Sequence, residues 1–156
     1  MSTTPLRLND LLGLTELPSN GLAWHDRIVA GFETSSARAL ASHLGVDESD
    51  VLELVNASGK EDKLGPRASN FLYRIAKSLR ELLVVNGNDI EKASLWLRTE
   101  NAELRGRVPI LLLASQVGFD YVTMAVGRMK PAPKPVEMSP APSPEEDDED
   151  EADDYE

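Results

Sequence analysis

The chain has 156 residues, enough for one domain or two very small ones, and 41% of them are hydrophobic, enough to build a core. Its formal net charge is −11, but ten of its 27 acidic residues lie in residues 145–156, so the rest is nearly neutral, with 17 acids and 16 bases. The absence of cysteine excludes disulfides, thiolate metal sites and cysteine nucleophiles.

The N-terminal segment shows weak signals for regular structure. Pro5, Pro18 and a Ser-Asn-Gly turn at residues 19–21 interrupt it. We therefore predict a flexible arm over residues 1–20, with one short turn at residues 8–12.

The region 21–58 is predicted to be helical, and residues 37–56 have the spacing of a helix-turn-helix. Gly45 lies where the tight turn needs a positive φ, and Ala41, four residues earlier, is small enough for a close helix crossing. Apolar residues line one face of the first helix and fill the junction with the second: Ala37, Leu40, Leu44, Val46, Val51, Leu54 and Val55. The pattern predicts a small tri-helical fold.

The second helix of this pair carries acids and no base. Asp47, Glu48, Asp50 and Glu53 are predicted to be exposed and to repel phosphate, whereas DNA affinity comes largely from Lys and Arg. A packing or protein-docking role is therefore favoured over direct reading of a DNA groove. If DNA is bound, the candidate residues are Arg38, Ser49, Asn56, Arg67 and Arg74.

A long amphipathic helix is predicted after a polar break at residues 58–65. Pro66 suits the first position of a helix, and Asn86-Gly87 is expected to end it. The apolar residues between them follow i, i+3, i+4 spacing: Phe71, Leu72, Ile75, Ala76, Leu79, Leu82 and Leu83.

Three shorter helices are expected after it. Asn88 and Glu91 resemble a capping box at the start of the first. A short apolar helix is expected to begin at Pro109 and to close at Gly118, and Asp120 is expected to cap the last helix. With no hairpin signal in the sequence, the predicted fold class is all-α.

The remaining residues, 131–156, are rich in proline and then in acids. Six of the fourteen residues from 131 to 144 are proline, and the segment 145–156, here called the acidic segment, holds the ten acids. Such a composition buries too little apolar surface to offset chain entropy, so 131–156 is predicted to be a disordered tail. Two roles stay open for the acidic segment: solubility, or competition for a basic surface.

A family resemblance is carried by the region that follows the long helix. It combines a Trp-Leu helix end, an Asn, a Leu-x-Gly-x-x-Pro element, a Leu-Leu pair, a Gly and a final helix. The matching residues are Ala93, Trp96, Leu97, Asn101, Leu104, Gly106, Pro109, Leu112, Leu113, Gly118 and Val122. Residues 66–130 thus resemble the toxin-binding domain of Xre/MbcA/ParS-like antitoxins, and the preceding helix-turn-helix at 21–58 is similar to their Xre-like half.

This resemblance implies an all-helical antitoxin that pairs with a RES-domain toxin, an enzyme that consumes NAD. It also implies a homodimer, a C-terminal region placed at the toxin's active-site entrance, and repression of the antitoxin's own operon. The toxin-binding residues that it suggests are Leu104, Gly106, Pro109, Leu112, Gly118, Phe119, Val122, Arg128 and Met129. Recognition helices of the family generally carry bases, and this one does not, so weak or no operator binding is predicted.

Two function classes therefore stand, an antitoxin and a helix-turn-helix transcriptional regulator without a toxin partner. No serine elbow, P-loop or Gly-rich dinucleotide turn is found, and His25 and His43 lack ligand-spaced partners. We expect no enzymatic activity, no cofactor and no metal. The sequence starts without the apolar core of a secretory signal, and its longest apolar run is far shorter than a membrane span, so a cytoplasmic location is expected.

Overall fold

The computed structural model describes residues 6–129, and over this range the chain is helical without a β-strand. The prediction of an all-α fold is confirmed, whereas the disordered tail predicted for 131–156 lies outside the described residues. The helices of the described range are α1 (Leu8–Leu11), α2 (Gly21–Ala30), α3 (Ser35–Leu44), α4 (Glu48–Leu54), α5 (Pro66–Val85), α6 (Ile90–Arg98), a 3₁₀ helix (Ala102–Leu104), α7 (Pro109–Leu112) and α8 (Gln116–Gly127).

Helices α3 and α4 pack closely across a glycine turn, as the sequence spacing predicts. Gly45 adopts φ 74°, a left-handed conformation that costs little without a Cβ, and ends α3. The amide of Val46 then donates to the carbonyl of Ala41 at 3.0 Å, which turns the chain into α4. Ala41 and Leu44 are buried beneath this turn.

Helix α5 is the central element, and α1, α2, α3, α6 and α8 all contact it. It begins with Pro66 at its first position and ends before Asn86 and the left-handed Gly87, as predicted. The predicted apolar set is buried along it: Phe71, Leu72, Ile75, Ala76, Leu79, Leu82 and Leu83. Because these residues face several helices at once, α5 is the element around which the core forms.

Part of the segment expected to be a flexible arm packs into this core. Leu11 and Leu12 are both 0% exposed, and α1 contacts α3 and α5. Burying two leucines contributes roughly 3–6 kcal/mol, which is enough to hold one helical turn that would be unstable alone.

The two regions recognised in the sequence share one core and are tied by buried hydrogen bonds. The hydroxyl of Ser94 on α6 donates to the carbonyl of Leu44 at the end of α3, over 2.6 Å. The hydroxyl of Ser69 on α5 accepts from the amide of Phe32 at 2.8 Å. Each bond satisfies a backbone group that the helix ends would otherwise leave buried without a partner.

Three helix boundaries differ from the sequence predictions. Asp89, not Asn88, caps α6, accepting from the amide of Lys92. Ser115, not Asp120, caps α8, which therefore begins five residues before the expected start, and Gly118 lies inside α8 rather than closing α7. Within the described range, no helix combines the length and the apolar character that crossing a bilayer requires.

Candidate functional site

The segment between α6 and α7 is a closed loop that fixes the position of the 3₁₀ helix. The amide of Asn101 donates to the carbonyl of Arg107 at 3.0 Å, and its side chain accepts from the amide of Glu103 at 2.8 Å. Arg105 and Gly106 both have positive φ, 61° and 78°, so the chain reverses over two left-handed residues. Gly106 thus allows the chain to turn, and it is an exposed residue that precedes α7 in the sequence.

The junction of α7 and α8 explains the glycine of the family pattern. A Cβ on Gly118 would lie 1.9 Å from the carbonyl oxygen of Leu112, far inside van der Waals contact. The first turn of α8 therefore approaches the backbone of α7 more closely than any other residue type allows. The hydroxyl of Ser115 accepts from the amide of Gly118 at 3.0 Å and caps the helix at this point.

Arg74 supports the same junction from α5. Its guanidinium donates to the carbonyl of Leu113 at 3.1 Å, just after the last residue of α7. Burial lowers the pKa of Arg74 from its ordinary value, while the nearby carboxylate of Asp120 raises it. An arginine keeps its charge at neutral pH under such a shift, so the group is a charged donor to the junction.

One face of α8 packs on the core. Val122, Ala125 and Val126 are buried there together with Gly118, and α8 contacts α5, α7 and the 3₁₀ helix. Several residues predicted to bind a partner are therefore structural, because they are buried in this packing: Leu104, Pro109, Gly118 and Val122.

A second face of α8, next to the buried one, is apolar and exposed. Val117, Tyr121 and Met124 are 66%, 57% and 54% exposed, and their i, i+4, i+7 spacing places them in one row, here called the α8 stripe. Leu111 on α7 is exposed as well. Sequence reasoning missed the α8 stripe. The signal that could have found it is a second apolar row on this helix, in addition to the row that packs on the core.

The other predicted partner-binding residues lie at the borders of these faces. Leu112, Phe119 and Met129 are half-buried against the core. Arg128 is exposed, but its Nε lies 2.9 Å from Oε2 of Glu103, in an ion pair that ties the end of α8 to the 3₁₀ helix. Arg128 is thus already paired within the chain.

The residues predicted to bind DNA are divided between two places. Arg38 forms an ion pair of 3.3 Å with Glu48, an acid of the helix that would have to enter a DNA groove, and Ser49 is exposed on that same α4. Asn56, Arg67 and Arg74 instead line a separate groove against α2, α5 and the start of α8. This groove meets α4 only at its C-terminal end, at Leu54, and not at the exposed acids of that helix.

The acids predicted on the second helix are exposed or half-exposed in the structure. Asp47, Asp50 and Glu53 face solvent, and Glu48 is half-buried by its pairing with Arg38. Residues 6–129 hold no cluster of three or more His, Asp and Glu side chains placed to bind a metal ion.

Comparison with known families identifies this part of the chain. Residues 78–130, from the last turns of α5 through α8, match the family model of the antitoxin Xre/MbcA/ParS C-terminal toxin-binding domain. The resemblance of the region after the long helix to this toxin-binding domain is thereby confirmed, whereas the Xre-like half at 21–58 stays a prediction. A search of curated proteins found no match to the chain.

Proposed function

We propose that the chain, whose residues 78–130 match the toxin-binding domain of the Xre/MbcA/ParS antitoxins, neutralises a toxin through the α8 stripe. The observation that carries this proposal is the apolar face of Val117, Tyr121 and Met124, exposed on the last helix of the matched region. Apolar and aromatic side chains on a rigid helix are typical of the anchors that dominate protein–protein affinity.

The family resemblance points to a RES-domain enzyme that consumes NAD as the toxin. The chain would hold the α8 stripe against the toxin beside its active site and so keep substrate out. The closed loop at Asn101 and the tight α7–α8 junction support this role, because a docking helix held in one position loses little entropy on binding. In this role the chain is an inhibitor and not an enzyme.

The test is co-expression of the chain with a RES-domain enzyme encoded beside it, with cellular NAD and growth as readouts. Wild-type chain should preserve NAD. Tyr121→Asp should lose rescue and weaken toxin binding by at least about 30-fold, the equivalent of the ~2 kcal/mol that defines a binding hot spot.

The matched control is Leu22→Asp. It places the same charge on another exposed apolar residue, which lies on α2 and is 76% exposed. It should rescue as well as wild type. Equal rescue by both variants would show that the α8 stripe is not the contact, and failure of wild-type chain to protect NAD would reject the RES-domain toxin.

Autoregulation of an operon and homodimer formation are part of this proposal because the family resemblance implies them. The acidic surface of α4 argues against strong operator binding, since Asp47, Asp50 and Glu53 would face phosphate. The same surface disfavours the alternative function, a transcriptional regulator without a toxin partner. Light scattering of the purified chain across a concentration series measures whether it dimerises.

A further inference from the structure

One groove on the described part of the molecule has no role in the proposed function. It has a volume of about 730 Å³ and lies between α2, the end of α4, the first half of α5 and the start of α8. Its floor is apolar, with Ile28, Val55 and Phe71 among the lining residues. It therefore spans the junction between the helix-turn-helix region and the toxin-binding domain.

The side chains that line this groove include bases but no acid, although the carboxylate of Asp120 lies near Arg74 and partly offsets its charge. Arg67, Arg74 and His25 line it together with Asn56 and Asn70, and no Asp or Glu side chain contributes to its lining. The start of α8 also lies there, where the positive end of the helix dipole adds to the field. In a chain of net charge −11, a groove whose lining holds two arginines and no acid favours an anionic occupant.

The spacing of the two arginines fits an extended acidic chain. Arg67 and Arg74 are seven residues apart on α5, which is ~10 Å along a helix at about 1.5 Å per residue. Carboxylates two and four residues apart lie on the same side of an extended chain and are separated by ~7 and ~13 Å, at about 3.3 Å per residue, which brackets this distance. Because ten of the twelve residues of the acidic segment are acids, almost every register offers such a pair.

The acidic segment is tethered within reach of the groove. The described residues end at Met129, two residues after α8, and the first residue of α8 lines the groove. The distance from Met129 back to the groove is therefore close to the ~18 Å length of a 12-residue helix. The 16 residues from Met129 to Glu145 can span up to ~53 Å. A tethered segment of this reach has an effective concentration that an untethered anion rarely matches.

We propose that residues 145–156 dock into this groove against Arg67 and Arg74 and so shield the bases of the chain from other polyanions. Arg74 contributes charge while keeping its hydrogen bond to Leu113, and exposed Arg67 contributes the free guanidinium. Three of the residues predicted to bind DNA, Asn56, Arg67 and Arg74, are then covered by the chain itself. This contact is separate from the α8 stripe and does not depend on any toxin.

The proposal is tested by comparing the ¹H–¹⁵N spectra of the full chain and of a chain that ends at Pro144. Shift differences should concentrate at residues 25–29, 67–74 and 114–117, and they should vanish as NaCl rises from about 50 mM to 500 mM because the contact is ionic. A synthetic peptide of residues 145–156, added to the shortened chain, should restore the shifts of the full chain. Differences confined to other residues, or none at low salt, would overturn the proposal.

Two variants assign the effect to the groove. Arg67→Gln, an exposed position, should weaken binding of the peptide to the shortened chain about two- to five-fold, the range of an exposed ion pair. Lys92→Gln removes an exposed base on α6, outside the groove, and should leave the peptide affinity unchanged. Equal weakening by both variants would show that the peptide responds only to the net charge of the chain. Binding of a duplex oligonucleotide, but not of the peptide, would show that the groove is a nucleic-acid site. Either result contradicts the proposal.

Discussion

Helices α4 and α8 expose opposite kinds of surface, and each is the element that its region would present to a partner. On α4 the exposed side chains are Ser49, Asp50 and Glu53, and the nearby Arg38 is already paired with Glu48. On α8 the exposed row is Val117, Tyr121 and Met124. Both helices bury their other face in the same core, so the difference lies in what each offers to solvent.

This contrast separates fold from function within one chain. The α3–α4 pair has the turn and spacing of a helix-turn-helix, but its charge disfavours a phosphate backbone. The α7–α8 pair has no catalytic feature, but its exposed apolar row would gain free energy when a partner removes it from water. We therefore place the proposed toxin contact on α8 and not on α4.

The largest expected effect comes from breaking the platform beneath the α8 stripe. Gly118→Val should destabilise the fold by about 3 kcal/mol or more, because its Cβ would overlap the carbonyl of Leu112 and force α7 and α8 apart. Denaturant unfolding monitored by circular dichroism measures this loss.

Gly127→Ala is the matched control in the same helix. A Cβ at Gly127 has no atom within 4 Å, and alanine favours a helix, so this variant should be neutral or more stable by up to ~1 kcal/mol. Similar stabilities for the two variants would mean that α8 does not approach α7 as closely as described.

A charge reversal on α4 tests whether acidity is what separates it from a DNA-reading helix. Asp50→Lys combined with Glu53→Lys should raise affinity for duplex DNA about ten-fold, ~1.4 kcal/mol, and steepen its dependence on salt. Wild-type chain should bind its own upstream DNA weakly or not at all at physiological salt. Gel-shift titrations at several salt concentrations measure both.

The control for net charge is Asp26→Lys combined with Glu100→Lys, at exposed acids away from α4. A gain that equals the one on α4 would show that the overall charge, not the surface of α4, governs DNA binding. Tight and sequence-specific DNA binding by the wild-type chain would show that the acids of α4 do not prevent this helix from binding in a DNA groove.

The smallest expected effect concerns the ion pair at the end of α8. Arg128→Glu should cost about 0.5 kcal/mol of stability, because it replaces the exposed attraction to Glu103 with repulsion. The double variant Glu103→Arg with Arg128→Glu should recover that stability. If the double variant regains stability but not rescue from the toxin, Arg128 also contacts the toxin, as the sequence pattern suggested; full rescue would assign it to the intramolecular pair alone.

The sequence predicts the helices whose apolar residues form a single face. It does not predict burial or helix ends that depend on tertiary packing. Helix α5 and the Gly45 turn follow from spacing and backbone conformation. Residues 8–12 are too few to show a period, so only the structure shows that Leu11 and Leu12 are buried.

The candidate site shows the same division. Ser115 and Asp120 are both good capping residues, and the choice between them depends on the close approach of Gly118 to Leu112, which is a tertiary contact. Helix α8 is apolar on two faces, so its period identifies Val122 and Tyr121 equally well as core candidates. Packing against α5 buries the first face and leaves the α8 stripe to solvent.

Hydrogen exchange of the chain, alone and bound to its proposed RES-domain toxin, tests the proposed partner surface most directly. We expect amides of residues 109–128 to exchange on the order of ten-fold more slowly in the complex, because contact with the α8 stripe suppresses local opening of α7 and α8. Amides of α4, residues 48–54, should exchange at the same rate in both states. Protection of 48–54 without protection of 116–128 would contradict the account and move the toxin contact to the acidic helix.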